Sequence, residues 1–125
     1  MEHVIGIGGI FFRARDPGGL AAWYRTHLGI ESSQDGHADF PWQPKNSPNQ
    51  SGRTVWSVFP ADTDYFGKAK PAFMINYVVP NLERMLEQLR KNGVNVEKVE
   101  DYDYGRFAWL TDPEGNRIEL WEPLG

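Results

Sequence analysis

The chain has 125 residues, enough for one domain with a real core and too short for a comfortable second. A formal net charge of −4 argues against a nucleic-acid partner, which needs a basic face, and the absence of cysteine excludes disulfides, thiolate nucleophiles and Cys-ligated metals. No apolar run approaches the roughly 20 residues that span a bilayer, and Met1-Glu2-His3-Val4 lacks the charged start and apolar core of a secretory leader, so a cytoplasmic protein with no membrane partner is expected.

In chain order, residues 5–14 are apolar and β-rich and run into Arg15-Asp16-Pro17. That pattern predicts a strand, then a helix capped by Asp16 with Pro17 in its first turn. Leu20, Trp23, Tyr24 and Leu28 recur at helical spacing, and Gly29 ends the helix. Strands are expected over 30–33, 37–40 and 54–59, with a polar loop over 42–52 and a joint over 61–70.

The order then repeats. A strand is predicted over 73–79, with Asn81 as cap, Leu82, Met85, Leu86 and Leu89 as the helix stripe and Gly93 as the stop. Strands follow over 95–100, 106–110 and 117–122, the last two joined by the turn Asp112-Pro113-Glu114-Gly115-Asn116. Ile10 and Ile75, Phe12 and Tyr77, Ala14 and Val79, and Asp16 and Asn81 stand 65 positions apart, which points to an internal duplication. The fold class expected is therefore α+β: one domain of two tandem β-α-β-β-β modules, about 4–60 and 71–125, forming a curved, half-open barrel with its helices outside.

Strand alternation sorts the side chains. Ile10, Phe12 and Ala14, with Ile75, Tyr77 and Val79, are expected under the helices. Gly9, Phe11 and Arg13, with Met74, Asn76 and Val78, are expected on the cleft side. Arg13 there serves a ligand or, being near a strand end, reaches solvent. Gly6-Ile7-Gly8-Gly9 precedes no helix and is not a phosphate loop. Ser57 has no evident histidine partner for nucleophilic chemistry. Tyr102 and Tyr104 flank a turn that either closes over a ligand or simply joins two strands.

The runs Phe11-Phe12-Arg13-Ala14-Arg15-Asp16, Trp23-Tyr24 and Leu28-Gly29 resemble the vicinal oxygen chelate superfamily. So, more specifically, does Phe107-Ala108-Trp109-Leu110-Thr111-Asp112-Pro113-Glu114-Gly115-Asn116-Arg117-Ile118-Glu119-Leu120. That superfamily includes glyoxalase I, extradiol dioxygenases, fosfomycin-resistance enzymes and bleomycin-binding proteins. The resemblance implies paired modules, a small-molecule cleft and commonly a homodimer. It also implies up to four metal ligands on the first and last strands of each module. Those positions fall on Gly9, Met74, Trp56 (or Ser57 if the alignment slips by one) and Glu119. Only Glu119 is a competent donor, because glycine has no side chain and a thioether is a poor ligand for the usual ions. His37 with Asp39 is the alternative source of ligands.

The candidate site is thus Glu119 as the catalytic group, with Arg13, Phe11, Trp56, Met74, Asn76 and Trp121 binding substrate. In glyoxalase I an arginine at the place of Arg13 recognises a carboxylate, and arginine suits that task. The function expected is a glyoxalase/bleomycin-resistance-like protein that binds a small organic, carboxylate-bearing molecule, with no metal and no other cofactor. The alternative is a metal-dependent lyase or dioxygenase with a divergent ligand set. A third reading has Phe11, Trp56, Trp109 and Trp121 filling the cleft of a dimeric scaffold.

Overall fold

In a computed structural model, residues 5–43, 52–65 and 74–124 are described. They divide into two compact units, the first drawn from residues up to 65 apart from 26–29, the second from 26–29 and the residues beyond 65.

In the first unit β1 (Gly9–Ala14) leads into α1 (Pro17–Leu28), whose last turn is counted with the second, and then come β2 (His37–Trp42) and β3 (Gly52–Pro60). Asp16 caps α1 as its composition predicts, its Oδ1 accepting from the Gly19 N–H at 3.1 Å. Gly29 ends α1 at φ +69°, a conformation that favours glycine. The sheet runs β1-β3-β2, with β1 parallel and β2 antiparallel to β3. Its helix side is a ring-packed core. Phe12, Tyr24 and Trp56 meet edge to face, with centroids 5.1–6.1 Å apart. Ala14, Leu20, Ala21 and Val58 are buried with them.

The second unit contains β4 (Ile75–Val78), α2 (Leu82–Lys91), β5 (Lys98–Tyr102), β6 (Gly105–Thr111) and β7 (Arg117–Pro123). Its sheet runs β4-β7-β6-β5, with β4 parallel to β7 and the other pairs antiparallel. Asn81 caps α2, accepting from the Arg84 N–H at 3.0 Å, and Glu122 accepts from the Leu82 N–H at 2.6 Å. Leu82, Leu86 and Leu89 bury one helix face, and Ala108, Leu110, Ile118 and Leu120 are buried in the sheet. The β6–β7 turn closes on buried Asp112. That carboxylate accepts from the Glu114 and Asn116 N–H groups at 2.9 Å and from Asn116 Nδ2 at 2.8 Å.

Several boundaries differ from the sequence expectation. Residues 30–33 form no strand, so the first unit is β-α-β-β. The Ile30 N–H closes the helix end on the Tyr24 carbonyl, and Ser33 bonds across a turn to the His37 carbonyl. Those bonds consume backbone groups that a ladder needs. The first strand begins at Gly9 rather than residue 5, and β5 at Lys98 rather than 95. Phe73 and most of the expected 42–52 loop lie outside the described residues. Neither sheet is closed.

Trp56 does not stand on the open side of its sheet. It is paired with Ile10, shares the face of Phe12 and is 1% exposed. Trp56→Ala is therefore expected to cost about 3–5 kcal/mol of stability in urea unfolding, the range for a large buried aromatic. A variant as stable as the parent contradicts this core position.

Candidate functional site

On the second unit's sheet, register decides which side chains stand away from α2. Asn76 is paired with Glu119, Trp109 with Glu119, and Phe107 with Trp121, so all five share the open face. Glu119 is gripped from both sides. Its Oε1 accepts from Asn76 Nδ2 at 2.6 Å and its Oε2 accepts from Trp109 Nε1 at 2.8 Å. Both donors are neutral, so they fix the carboxylate's direction without cancelling its charge. Among the described residues no lysine or arginine forms an ion pair with it.

Around that carboxylate the rings form one continuous cluster. Phe107 lies nearly parallel to Trp109 (centroids 6.0 Å, 15°) and to Trp121 (5.9 Å, 6°). Tyr102 and Tyr104 stack on each other at 5.5 Å and meet Phe107 edge-on. Tyr102 ends β5, and Tyr104 lies with Asp103 in the tight turn that joins it to β6. Gly105 is required there. A Cβ on it meets Trp121 Nε1 at 2.3 Å, and that indole N–H donates to the Tyr104 carbonyl at 3.3 Å. Lys98 Nζ sits 5.7 Å above the Trp109 ring and 2.8 Å from Glu100 Oε1.

The first unit's open face carries Phe11, Arg13, Ser57 and Phe59. Phe11 and Phe59 lie 5.4 Å apart, and Phe59 stacks on Tyr65 at 5.4 Å. Arg13 is half-buried and its Nη2 donates to the Thr63 carbonyl at 3.4 Å. Phe11 pairs with Ser57 as Asn76 pairs with Glu119, and Phe11 and Asn76 are 65 positions apart. Ser57, the slipped alternative, is therefore the internal counterpart of Glu119, and Trp56 is a core residue. His37 stands opposite Ser57 across β2–β3, yet no hydrogen bond joins them, so no nucleophilic pair is assembled.

Of the residues singled out from sequence, Asn76, Glu119 and Trp121 come together on one face, and Phe11 and Arg13 on another. Met74 is exposed just before β4. Sequence reasoning missed Phe107 and Lys98, and the donation from Trp109 to Glu119. The period-2 alternation of 105–111 against the Asp112 turn carries the signal for Phe107 and Trp109. Surface hollows of about 690 Å³, on the polar side of α2, and about 400 Å³, beside Arg25 and Ser32, include none of these side chains.

The side chains do not suit a divalent metal. The space above Gly9 is filled by the Phe11 ring, 2.6 Å from where a Cβ would stand. Ser57 and the Met74 thioether are poor donors. Both oxygens of Glu119 already accept hydrogen bonds. Among the described residues no three His, Asp or Glu side chains gather as a metal-binding group.

Each unit thus sets a helix against a sheet of mixed parallel and antiparallel strands, an α+β architecture. Residues 9–121 match the model of the Glyoxalase-like domain. The chain belongs to that family, and so to the vicinal oxygen chelate superfamily. No curated protein matches the sequence at a significant level. Among solved structures, TnmS3, an antibiotic binding protein from Streptomyces sp. CB03234, superposes with TM-score 0.70 at 18% identity, over 99% of this chain and 100% of that one. A glyoxalase/bleomycin resistance protein/dioxygenase from Nocardioides gives 0.63 at 20% identity, over 99% and 87%. A glyoxylase/bleomycin resistance protein/dioxygenase domain from Frankia sp. EAN1pec gives 0.61 at 14%, over 98% and 100%. These likenesses establish the fold.

At the rim of the aromatic face the Glu100 carboxyl is held below its ordinary 4.5 by its hydrogen bond from Lys98 and then by the Tyr102 hydroxyl. The same Tyr102–Glu100 bond raises the Tyr102 phenol above its ordinary 10.0. The signs follow. Glu100's contribution to stability is present above its unfolded value and is lost as pH falls through its folded one. Tyr102's is present below its unfolded value and is lost as pH rises through its folded one. In an ultraviolet phenolate titration one tyrosine is expected to ionise later than an ordinary phenol, and Glu100→Gln to bring it back. Superimposable curves for parent and variant contradict the contact.

Proposed function

We propose that this protein binds small organic molecules, each unit's sheet offering an open face, without the superfamily's metal. The observation that carries the reading is Glu119. In metal enzymes of this superfamily the equivalent carboxylate is a ligand, but here its two oxygens accept from Asn76 and Trp109 beside a bank of rings. A carboxylate so oriented is a fixed acceptor for a ligand donor and, if chemistry occurs, a general base. Aromatic walls with a few convergent polar groups are the usual make-up of small-molecule sites. TnmS3, whose fold this chain shares, is an antibiotic binding protein, which supports a small-molecule ligand here.

On the first unit, Arg13 beside Phe11 and Phe59 suits an anionic group such as a carboxylate. Cytoplasmic location and a homodimeric state complete the proposal; exposed Ile7 and Val78 supply apolar surface for a second copy.

Elemental analysis after equilibration with nickel, zinc, manganese or ferrous iron is expected to find well under one ion per chain. Tight binding at one per chain would overturn the reading in favour of a metal-dependent lyase or dioxygenase. Once a carboxylate ligand is found by screening, Arg13→Ala is expected to weaken it by about 1.5–3 kcal/mol, the cost of a lost charged hydrogen bond. Unchanged affinity in calorimetry removes Arg13 from the site.

A further inference from the structure

We infer that the open face of the second unit selects a flat aromatic cation, an inference that rests on the proposed small-molecule function and adds the ligand's chemistry. Two cations stand on this face, Lys98 and Arg117, by their pairing with Trp109 and Thr111. Each is turned to another carboxylate: Lys98 to Glu100 at 2.8 Å and Arg117 to Glu97 at 3.9 Å. The Glu119 carboxylate, on the same face, accepts instead from the neutral donors Asn76 and Trp109. A carboxylate has about four lone-pair directions, and two are used, so it can still accept from a protonated nitrogen.

The rings supply the second half of the specificity. Trp121, Phe107 and Trp109 lie within 15° of one another in neighbouring pairs, and an aromatic slab of similar tilt continues such a stack with offset contact. Their negative π faces favour positive charge, and one already holds it: the Lys98 ammonium lies 5.7 Å over Trp109. Lys98 is more than half exposed, so it can leave that ring to an incoming cation. Tyr104 at 63% exposure and Tyr102 at 42% put the outer rings in reach of solvent and ligand. An anionic ring meets the reverse, the uncompensated charge of Glu119 against its own.

Three probes separate the contributions: 9-aminoacridine as ring plus charge, anthracene-9-carboxylate as ring with opposite charge, and tetramethylammonium as charge without ring. Binding to the intact chain is read by calorimetry and tryptophan quenching. 9-Aminoacridine is expected to bind about tenfold or more tighter than anthracene-9-carboxylate, with tetramethylammonium weaker than both. Glu119→Gln is expected to lower the 9-aminoacridine affinity about tenfold and to leave that of the anthracene unchanged or improved. Lys98→Met, which removes the competing ammonium, is expected to strengthen 9-aminoacridine binding, a gain that loss of folding cannot imitate. Equal binding of both ring probes, or indifference of 9-aminoacridine to Glu119→Gln and Lys98→Met, overturns the cation preference and leaves small-molecule binding standing. Failure of both ring probes to bind overturns the inference together with the function on which it rests.

Discussion

Side chains of a β-strand alternate between faces, so the pairing register of a strand settles what each residue can do. In the second unit one set of pairings matters most: Glu119 lies between Asn76 on β4 and Trp109 on β6. A slip by one residue on β7 would turn Glu119 toward the buried leucines of α2 and present Leu120 on the open face. Burial of Ile118 and Leu120 against that helix opposes the slip, since each buried aliphatic side chain is worth about 1.5–3 kcal/mol. The site's chemistry is thus held in place by the core on the far side of its own sheet.

The same register gives Glu119 its character. A carboxylate among rings is costly unless hydrogen-bonded, and Asn76 and Trp109 meet that requirement with neutral donors. They leave a directed negative charge on a largely apolar wall. In the first unit the equivalent place is Ser57, 1% exposed, under a face carrying Phe11, Phe59 and Arg13. One open face thus sets a carboxylate among rings, and the other a guanidinium among rings.

The helices, their caps and their glycine stops were legible in the sequence, because Asp16-Pro17, Asn81, Gly29 and Gly93 act through local chemistry. The repeat and the Asp112–Asn116 turn were equally plain. The face of Trp56 was not. It depends on whether Ile10 or Phe11 lies beside it, and pairing between strands more than 40 positions apart leaves no local mark. The strand expected over 30–33 failed for a related reason: Ile30 is apolar because it packs below the helix end, not because it joins a ladder. Glu119 was recognisable as an outlier among positions unfit for metal, but its two donors lie 43 and 10 positions away and only the sheet brings them together.

The five indole N–H signals of a nitrogen-15 labelled sample, followed as an aromatic ligand is added, test the account most directly. The Trp109 and Trp121 signals, assigned through Phe replacements, are expected to move first and saturably, while the Trp56 signal, on the helix side of the other sheet, stays in place. Displacement of the Trp56 signal with Trp109 and Trp121 unmoved would contradict the assignment of the binding face.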